Sequence, residues 1–503
     1  MDYSSLRKAG VLAPLSSLPS PYGIGGLGKD TLAFIDTISA TGFSFWQVLP
    51  LCPTGYGASP YSAISAFARN ELYIDIDFLK RDGLLDESDT MMFYVDRSRV
   101  NYEWVREHKM PLLMKAAEAL IDRINTDEYV ASEYARFKKD NSYWLHDYAL
   151  FRTLGEIYGT YDWSAKWSEE HKLRDKKALR KIEKLYSHEI ATWEVLQFIF
   201  ACQWDEIRDY AEDKGVSIIG DLPFCSIKDS AEVWAHPELF MLSKKLKPTK
   251  VIGVPPDAYS QTGQLWGNPA YRWKTHKAEN FKFWIERIKS QLSLFDYLRL
   301  DHFRGFVSTW NVKAKDKTAE NGKWVKTPGW ELLSAVYSAI GIYSSDDIPF
   351  IAEDLGIITE DVDRLRSAFD LPSLRVMEFG FAHGNDDPHL PHMWGDDVFA
   401  TLGTHDNNTL IGWWQDTATD YERDRAKRYF YSNDESTPWF MIRSLLASRA
   451  PVVVLQYQDL CFLPSFARFN VPGTVSDANW TYRITEMYDS DKFKYLLEMY
   501  NRV

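Results

Sequence analysis

The chain is poor in cysteine, with four in 503 residues (Cys52, Cys202, Cys225 and Cys461), none in a CxxC pair or beside a zinc-like histidine pair. That scatter argues against a disulfide framework or a zinc site and leads us to expect four reduced, largely buried thiols. No segment reaches 18 consecutive apolar residues, which excludes a transmembrane helix of ordinary length. The first dozen residues are polar, with Arg7 and Lys8 where a leader peptide would need a hydrophobic run, so a cytoplasmic protein is expected. Positive charge is in deficit: 58 Lys and Arg face 71 Asp and Glu, a net −13. Neither nucleic acid nor an anionic membrane is an expected partner of such a surface. Internal repeats and low-complexity tails are also missing.

Short apolar runs are present, each stopping at a polar or charged residue. Eight of them cover residues 11–15, 45–51, 217–221, 296–300, 349–352, 374–379, 398–403 and 452–455. Runs of this length without polar alternation are strands buried on both faces, the habit of parallel sheets. Helical periodicity lies between several of them, at residues 110–124, 142–155 (ending at Gly155), 192–213 and 281–294. Alternating helices and doubly buried strands predict an α/β fold, and eight strands predict a closed (β/α)₈ TIM barrel. We expect one elaborated catalytic domain over 1–503. Residues 80–200 are expected as a mainly helical insertion between strands two and three. Residues 225–290 are expected as an insertion between strands three and four that carries a Pro/Gly-rich substrate loop at 253–271. Such insertions belong on the loops that follow strands, at the face where barrel active sites lie. Too little chain follows the eighth run for a C-terminal β-sandwich domain.

Four strand ends carry an acid: Asp221 in GDLPF, Asp301 in RLDHFRG, Glu353 in IAEDLG and Asp406 in GTHDNNT. One such acid alone is most simply a helix cap or a solvated loop residue. Four converging on one barrel mouth is an unfavourable crowding of like charge, of the kind that a reaction or a ligand requires. Two chemistries use such a cluster: a divalent cation polarising an enolate, or glycoside chemistry with a carboxylate nucleophile and a carboxylic acid proton donor. The neighbours favour the second. Arg299 lies two residues before Asp301, on the same strand face, where a guanidinium keeps a carboxylate ionised but competes with a metal. His405 can donate to a sugar hydroxyl, and no lysine base stands at a strand end. The 19 Trp, 28 Tyr and 28 Phe supply rings on which sugars stack, although most such rings belong to a core.

In this order and wording, these segments resemble the 4-α-glucanotransferase family (amylomaltases, or disproportionating enzymes; glycoside hydrolase family 77), within the α-amylase superfamily. The resemblance spans nearly the whole chain. It includes GVLAPLSSLPSPYGIGGLG near the start, WQVLPLCPTGYGASPYSAISAFARN, PPDAYSQTGQLWGNP and NVPGTVSDANW. It implies Asp301 as nucleophile, Glu353 as general acid/base and Asp406 as transition-state stabiliser. Arg299, Asp221, His405 and Tyr61 would surround the sugar at the cleaved bond. Tyr259, Gln264 and Trp266 would fold over the acceptor side, and Asn470 would also reach substrate. The implied reaction moves an α-1,4-glucan segment to the 4-hydroxyl of another glucan or of glucose, with no metal or organic cofactor. The partners it implies are maltooligosaccharides, amylose and starch or glycogen fragments. A monomer or weak homo-oligomer is expected. A glucan hydrolase with the same acids and a non-catalytic glucan-binding barrel are the competing readings.

Two further strings and two histidines have plainer readings. YIDIDF (residues 73–78) alternates like a half-exposed strand rather than presenting a DxD metal site. YGIGGLG (residues 22–28) lacks a P-loop's Lys-Ser/Thr ending and is expected to be a turn-rich substrate loop. His236 and His302 are expected to be structural or hydrogen-bonded rather than metal ligands.

Overall fold

The computed structural model describes residues 6–89, 96–256 and 260–503. Among them are twelve strands, numbered along the chain: β1 (Lys8–Leu12), β2 (Phe45–Gln47), β3 (Ser217–Leu222), β4 (Lys250–Val254), β5 (Gln264–Pro269), β6 (Tyr297–Leu300), β7 (Ser308–Lys313), β8 (Lys323–Lys326), β9 (Phe350–Ala352), β10 (Ser373–Val376), β11 (Val398–Thr401) and β12 (Val452–Gln456). Eight close a barrel in the order β1-β12-β11-β10-β9-β6-β3-β2, every pair parallel. These are the eight apolar runs of the sequence. The first sits earlier than its run suggests: Pro14 offers no N–H to a ladder, and Leu15–Ser17 turns into a short 3-10 helix.

The core explains why the runs lack alternation. Val11, Trp46, Leu298, Ala352, Val376, Ala400 and Val453 are all fully buried, between the barrel interior on one side and covering helices on the other. Helices cover the barrel at Lys29–Thr41, Lys282–Leu292, Gly329–Ile340, Glu360–Ala368, Asp420–Phe430 and Thr437–Ala447. Between β2 and β3 the chain is helical throughout its larger elements, among them Tyr102–Thr126, Leu145–Tyr158 and the 27-residue Ser187–Asp213. Past β12 the described chain continues only in helices and turns, ending in Ser490–Met499. No helix of the described residues is long and apolar enough to cross a membrane.

Three expectations are corrected, and one element is added. Within the 253–271 stretch β5 pairs antiparallel with β4, in a second, four-stranded sheet of order β5-β4-β7-β8 that the sequence reading did not contain. YIDIDF is not a strand. Glu71–Tyr73 forms a 3-10 turn, and Asp75 caps the helix Ile76–Arg81 by accepting from Phe78 N. Two glutamines of Ser187–Asp213 take the place of a neighbouring strand. Gln197 brackets the backbone N–H and C=O of Arg69 at 2.7 and 2.8 Å, and Gln203 brackets those of Asp75 at 2.7 and 3.1 Å. The YGIGGLG turn is buried, not a substrate loop. A Cβ on Gly25 would lie 1.9 Å from Leu15 O, and one on Gly28 would lie 2.2 Å from Asp75 Oδ2, so it is a close-packing turn. Of the four free cysteines, Cys52 is buried and Cys225 and Cys461 are half-buried, but Cys202 is exposed on the outside of its helix.

Candidate active site

Three strand ends bring the acids together because neighbouring parallel strands end at one level. Registers pair Asp221 with Arg299, and Arg299 with Ile351, two residues before Glu353. Arg299 is the hub. Its Nη1 donates to Asp221 Oδ1 and Oδ2 at 2.9 and 2.7 Å and to Asp301 Oδ1 at 3.1 Å, while its Nη2 lies 4.0 Å from Glu353 Oε2. Asp221 is fully buried, and burial pushes its carboxyl up while the Arg299 charge opposes that shift. A buried pair like this requires both members, since removing one leaves an uncompensated charge in a medium that solvates it poorly.

Glu353 follows β9. His302 N donates to its Oε2 at 2.6 Å and Leu355 N to its Oε1 at 3.1 Å. To aim that N–H, His302 adopts φ of 51°, a left-handed conformation that costs a non-glycine residue about 1 kcal/mol or more. Burial is the largest influence on the Glu353 carboxyl and carries it up to about 8, with the Arg299 charge pulling the other way and Asp301 adding to the rise. Asp301 keeps a quarter of its side chain exposed to the mouth and holds its ion pair with Arg299. Two acids on adjacent strands thus stand in unlike surroundings: one ion-paired and facing solvent, the other enclosed and protonated near neutrality.

Asp406 enters from the turn after β11. Asn470 Nδ2 donates to its Oδ1 at 2.6 Å, His405 Nε2 lies 3.6 Å from its Oδ2, and Arg468 Nη2 donates to its backbone carbonyl at 2.6 Å. Nearly half of its side chain remains exposed to the mouth. Tyr61, from the loop after β2, donates to Asp221 Oδ2 at 2.6 Å and stacks on the buried His405 ring with centroids 5.0 Å apart. On the other side, β5 carries Gln264 and the exposed Trp266, whose Nε1 donates to Gln264 Oε1 at 3.2 Å. The Trp266 ring meets the His302 ring edge-on at 5.0 Å, beside Asp301 and Glu353.

The structure therefore gathers Asp221, Arg299, Asp301 and Glu353 into one charged cluster, with Asp406, His405, Tyr61 and Asn470 linked in a second group that Tyr61 joins to the first. Gln264 and Trp266 reach it through His302. Tyr259 lies outside the described residues. Three contributors escaped the sequence reading. Trp480 packs 5.8 Å from Tyr61 and 6.0 Å from His405, and its place in NVPGTVSDANW was the available signal. Arg468 and the backbone N–H of His302 had none, because a main-chain donor and an orienting arginine leave no spacing pattern.

Comparison with known proteins agrees with this geometry. The profile of the 4-alpha-glucanotransferase family matches residues 13–488. The chain is 43% identical over 505 residues to the 4-alpha-glucanotransferase of Aquifex aeolicus (strain VF5), covering 99% of this chain and 100% of that one. It is 39% identical over 473 residues to that of Clostridium butyricum, covering 93% and 94%. Its structure is similar to an amylomaltase from Streptococcus agalactiae in complex with acarbose, with a TM-score of 0.92, 36% identity and 99% of each chain covered. The amylomaltase of Corynebacterium glutamicum, 17% identical, shares the fold at a TM-score of 0.75 over 99% of this chain and 75% of that one. With the profile matched along almost its full length and these relatives covered end to end, the chain belongs to the 4-alpha-glucanotransferase family.

Proposed function

We propose that this protein cuts an α-1,4-glucan and transfers the released segment to the 4-hydroxyl of a second glucan or of glucose, retaining the α configuration. The observation that carries the reading is the contrast between Asp301 and Glu353 on adjacent strands. Asp301 is ion-paired to Arg299 and open to the mouth, whereas Glu353 is enclosed and raised to about 8. That contrast suits a nucleophile and a proton donor respectively.

In the first half-reaction Asp301 attacks the anomeric carbon, the C1–O4 bond breaks, and Glu353 gives its proton to the departing 4-hydroxyl. In the second, the ionised Glu353 takes the proton from an incoming 4-hydroxyl, which attacks C1 and releases Asp301. Asp406 accepts hydrogen bonds from hydroxyls of the distorted sugar, with its carboxyl aimed by Asn470. His405, Asp221, Arg299 and Tyr61 line the same sugar's position. Trp266 and Gln264 bind the acceptor and keep water from the intermediate, with Tyr259 assigned to the same side from sequence. Likeness to an amylomaltase solved in complex with acarbose supports an α-glucan as substrate.

The test is incubation of the purified protein with maltotriose while chain lengths and reducing ends are followed together. A ladder of longer maltodextrins with no net gain of reducing ends is the expected result. A net gain of reducing ends without longer products makes the protein a hydrolase. No change with maltotriose or with longer glucans returns it to a glucan-binding barrel.

A further inference from the structure

We infer that Glu378 is a positioning residue: its buried carboxyl, on the flank of the turn opposite Asp459, holds from beneath the turn that carries His405 and Asp406. The inference rests on the site reading given above.

Glu378 lies in the 3-10 turn Met377–Phe381 that ends β10, and its N–H donates to Leu402 O at 3.2 Å, continuing the barrel ladder towards the next strand. Asp459 lies in the short helix Tyr457–Leu460 that follows β12. The turn between them is that of Gly403 to Leu410, so the two acids approach it from both flanks. Both are almost wholly buried, with 2% and 1% of their surface exposed. Among the described residues neither Glu378 oxygen nor Asp459 Oδ2 has a hydrogen-bond partner of normal geometry. Buried acid oxygens are costly unless neighbouring groups or a shared proton satisfy them, and such a cost is retained where the groups have work to do.

The turn is built around this pair. Asn407 accepts from Thr404 N and from Thr404 Oγ1 through its Oδ1, both at 2.9 Å, so its amide N–H₂ is what remains to face Glu378. Asp459 Oδ1 accepts from Leu410 N at 2.7 Å, and Gln456 Nε2 donates to Asn408 O at 3.3 Å. A Cβ on Gly403 would lie 2.9 Å from Asn407 Cβ, 3.3 Å from Glu378 Oε2 and 3.4 Å from Gln456 Nε2, which leaves that position to glycine. His405 and Asp406 are the two residues that this closed turn lifts into the mouth.

The charge state follows from the surroundings. The facing charged groups are Asp459, Arg468 and, further off, Glu422. Arg468 is committed to the carbonyls of Asp406 and Asn470 at 2.6 and 2.5 Å. Burial drives the Glu378 carboxyl far above the usual carboxylate range, with the Asp459 charge adding to the rise, and carries Asp459 up to about 7. Two such acids hold at least one proton between them near neutrality. We place it on Glu378, whose neutral carboxyl then accepts from the Asn407 amide.

Two measurements test this. Infrared difference spectra of wild type against E378Q, with isotope-labelled glutamate, should show at neutral pH a protonated carboxylic acid band that the variant loses; no such band overturns the inference. Steady-state kinetics well below each melting temperature should show E378L slowed in kcat by about 10- to 100-fold, as expected of a displaced reacting group, with KM changed less than threefold. E378Q, which keeps the shape and the neutral charge, should stay within about threefold of wild type. An unimpaired E378L, or an E378Q as slow as E378L, overturns it. Should E378L fail to fold, the infrared band decides. A wild type that leaves maltotriose unchanged refutes the proposed reaction, whereas the band reads the Glu378 proton whatever reaction is catalysed.

Discussion

Arg299 and Asp301, two residues apart at the end of β6, face the same mouth with Nη1 and Oδ1 3.1 Å apart. The same nitrogen lies 2.7 Å from Asp221 Oδ2, so one guanidinium fixes acids from two strands and approaches a third. A lysine keeps the charge but not the fork. R299K is therefore expected to lower kcat on maltooligosaccharides by about 100-fold, the scale on which misplaced reacting groups fail. R299M, which strands buried Asp221, should also destabilise the fold by about 3–5 kcal/mol. Kinetics and denaturant melts check the two effects separately.

On the proposed mechanism Glu353 must hold a proton to assist bond breaking, and burial carries its carboxyl up to about 8. Transfer activity is expected to fall on the alkaline side as pH passes that value, and E353Q should be inactive at every pH. Stability carries the same signature. Because the folded-state value is raised, the native state binds more protons than the unfolded one between the ordinary glutamate value and about 8, and stability falls as pH rises through that window. E353Q has no such proton, so it should melt above wild type at pH 8 and lose that advantage below pH ~4, where the wild-type group is protonated in both states. Calorimetric Tm values across pH decide it.

Trp266 packs edge-on against His302, beside Asp301 and Glu353, while remaining partly exposed. On the proposed reading, removing its ring opens the acceptor side to water. W266A is expected to raise the share of hydrolysis over transfer by about tenfold, the scale of one lost stacking contact. The ratio of new reducing ends to longer maltodextrins measures it, and an unchanged ratio removes Trp266 from acceptor selection.

Gly155 and Gly159 sit at the end of one helix for different reasons. A Cβ on Gly155 would lie 2.1 Å from the Tyr161 ring, whereas Gly159 has open space but a φ of 63°. G155A is expected to cost about 1–3 kcal/mol by overpacking and G159A about 1 kcal/mol by backbone strain. Both should leave kcat unchanged, since neither glycine touches a residue of the candidate site. Urea unfolding gives the ranking.

The same helix shows where sequence reading stops. Its apolar periodicity was plain, but Gly155 looked like its end because a glycine's packing role depends on Tyr161, which the turn beyond Gly159 folds back onto it. The second sheet was missed for a related reason: β5 and β8 are short and mostly exposed, so no run of buried residues marks them. YIDIDF alternates as a strand does, yet among the described residues no strand lies beside it; Gln203 takes the backbone groups of Asp75 instead, as Gln197 takes those of Arg69 just before it.

The sequence by itself determined the barrel and the acids at its mouth. Burial on both faces is written directly into unbroken apolar runs, and an acid closing such a run marks a strand end. Only the tertiary structure decided what those acids are like. Asp221, Arg299 and Glu353 come from three strands dozens of residues apart, and their ionisation depends on which neighbours enclose them. Local pattern specifies where a carboxyl stands; the surrounding dielectric and the nearest charge specify whether it holds a proton, and both are properties of packing.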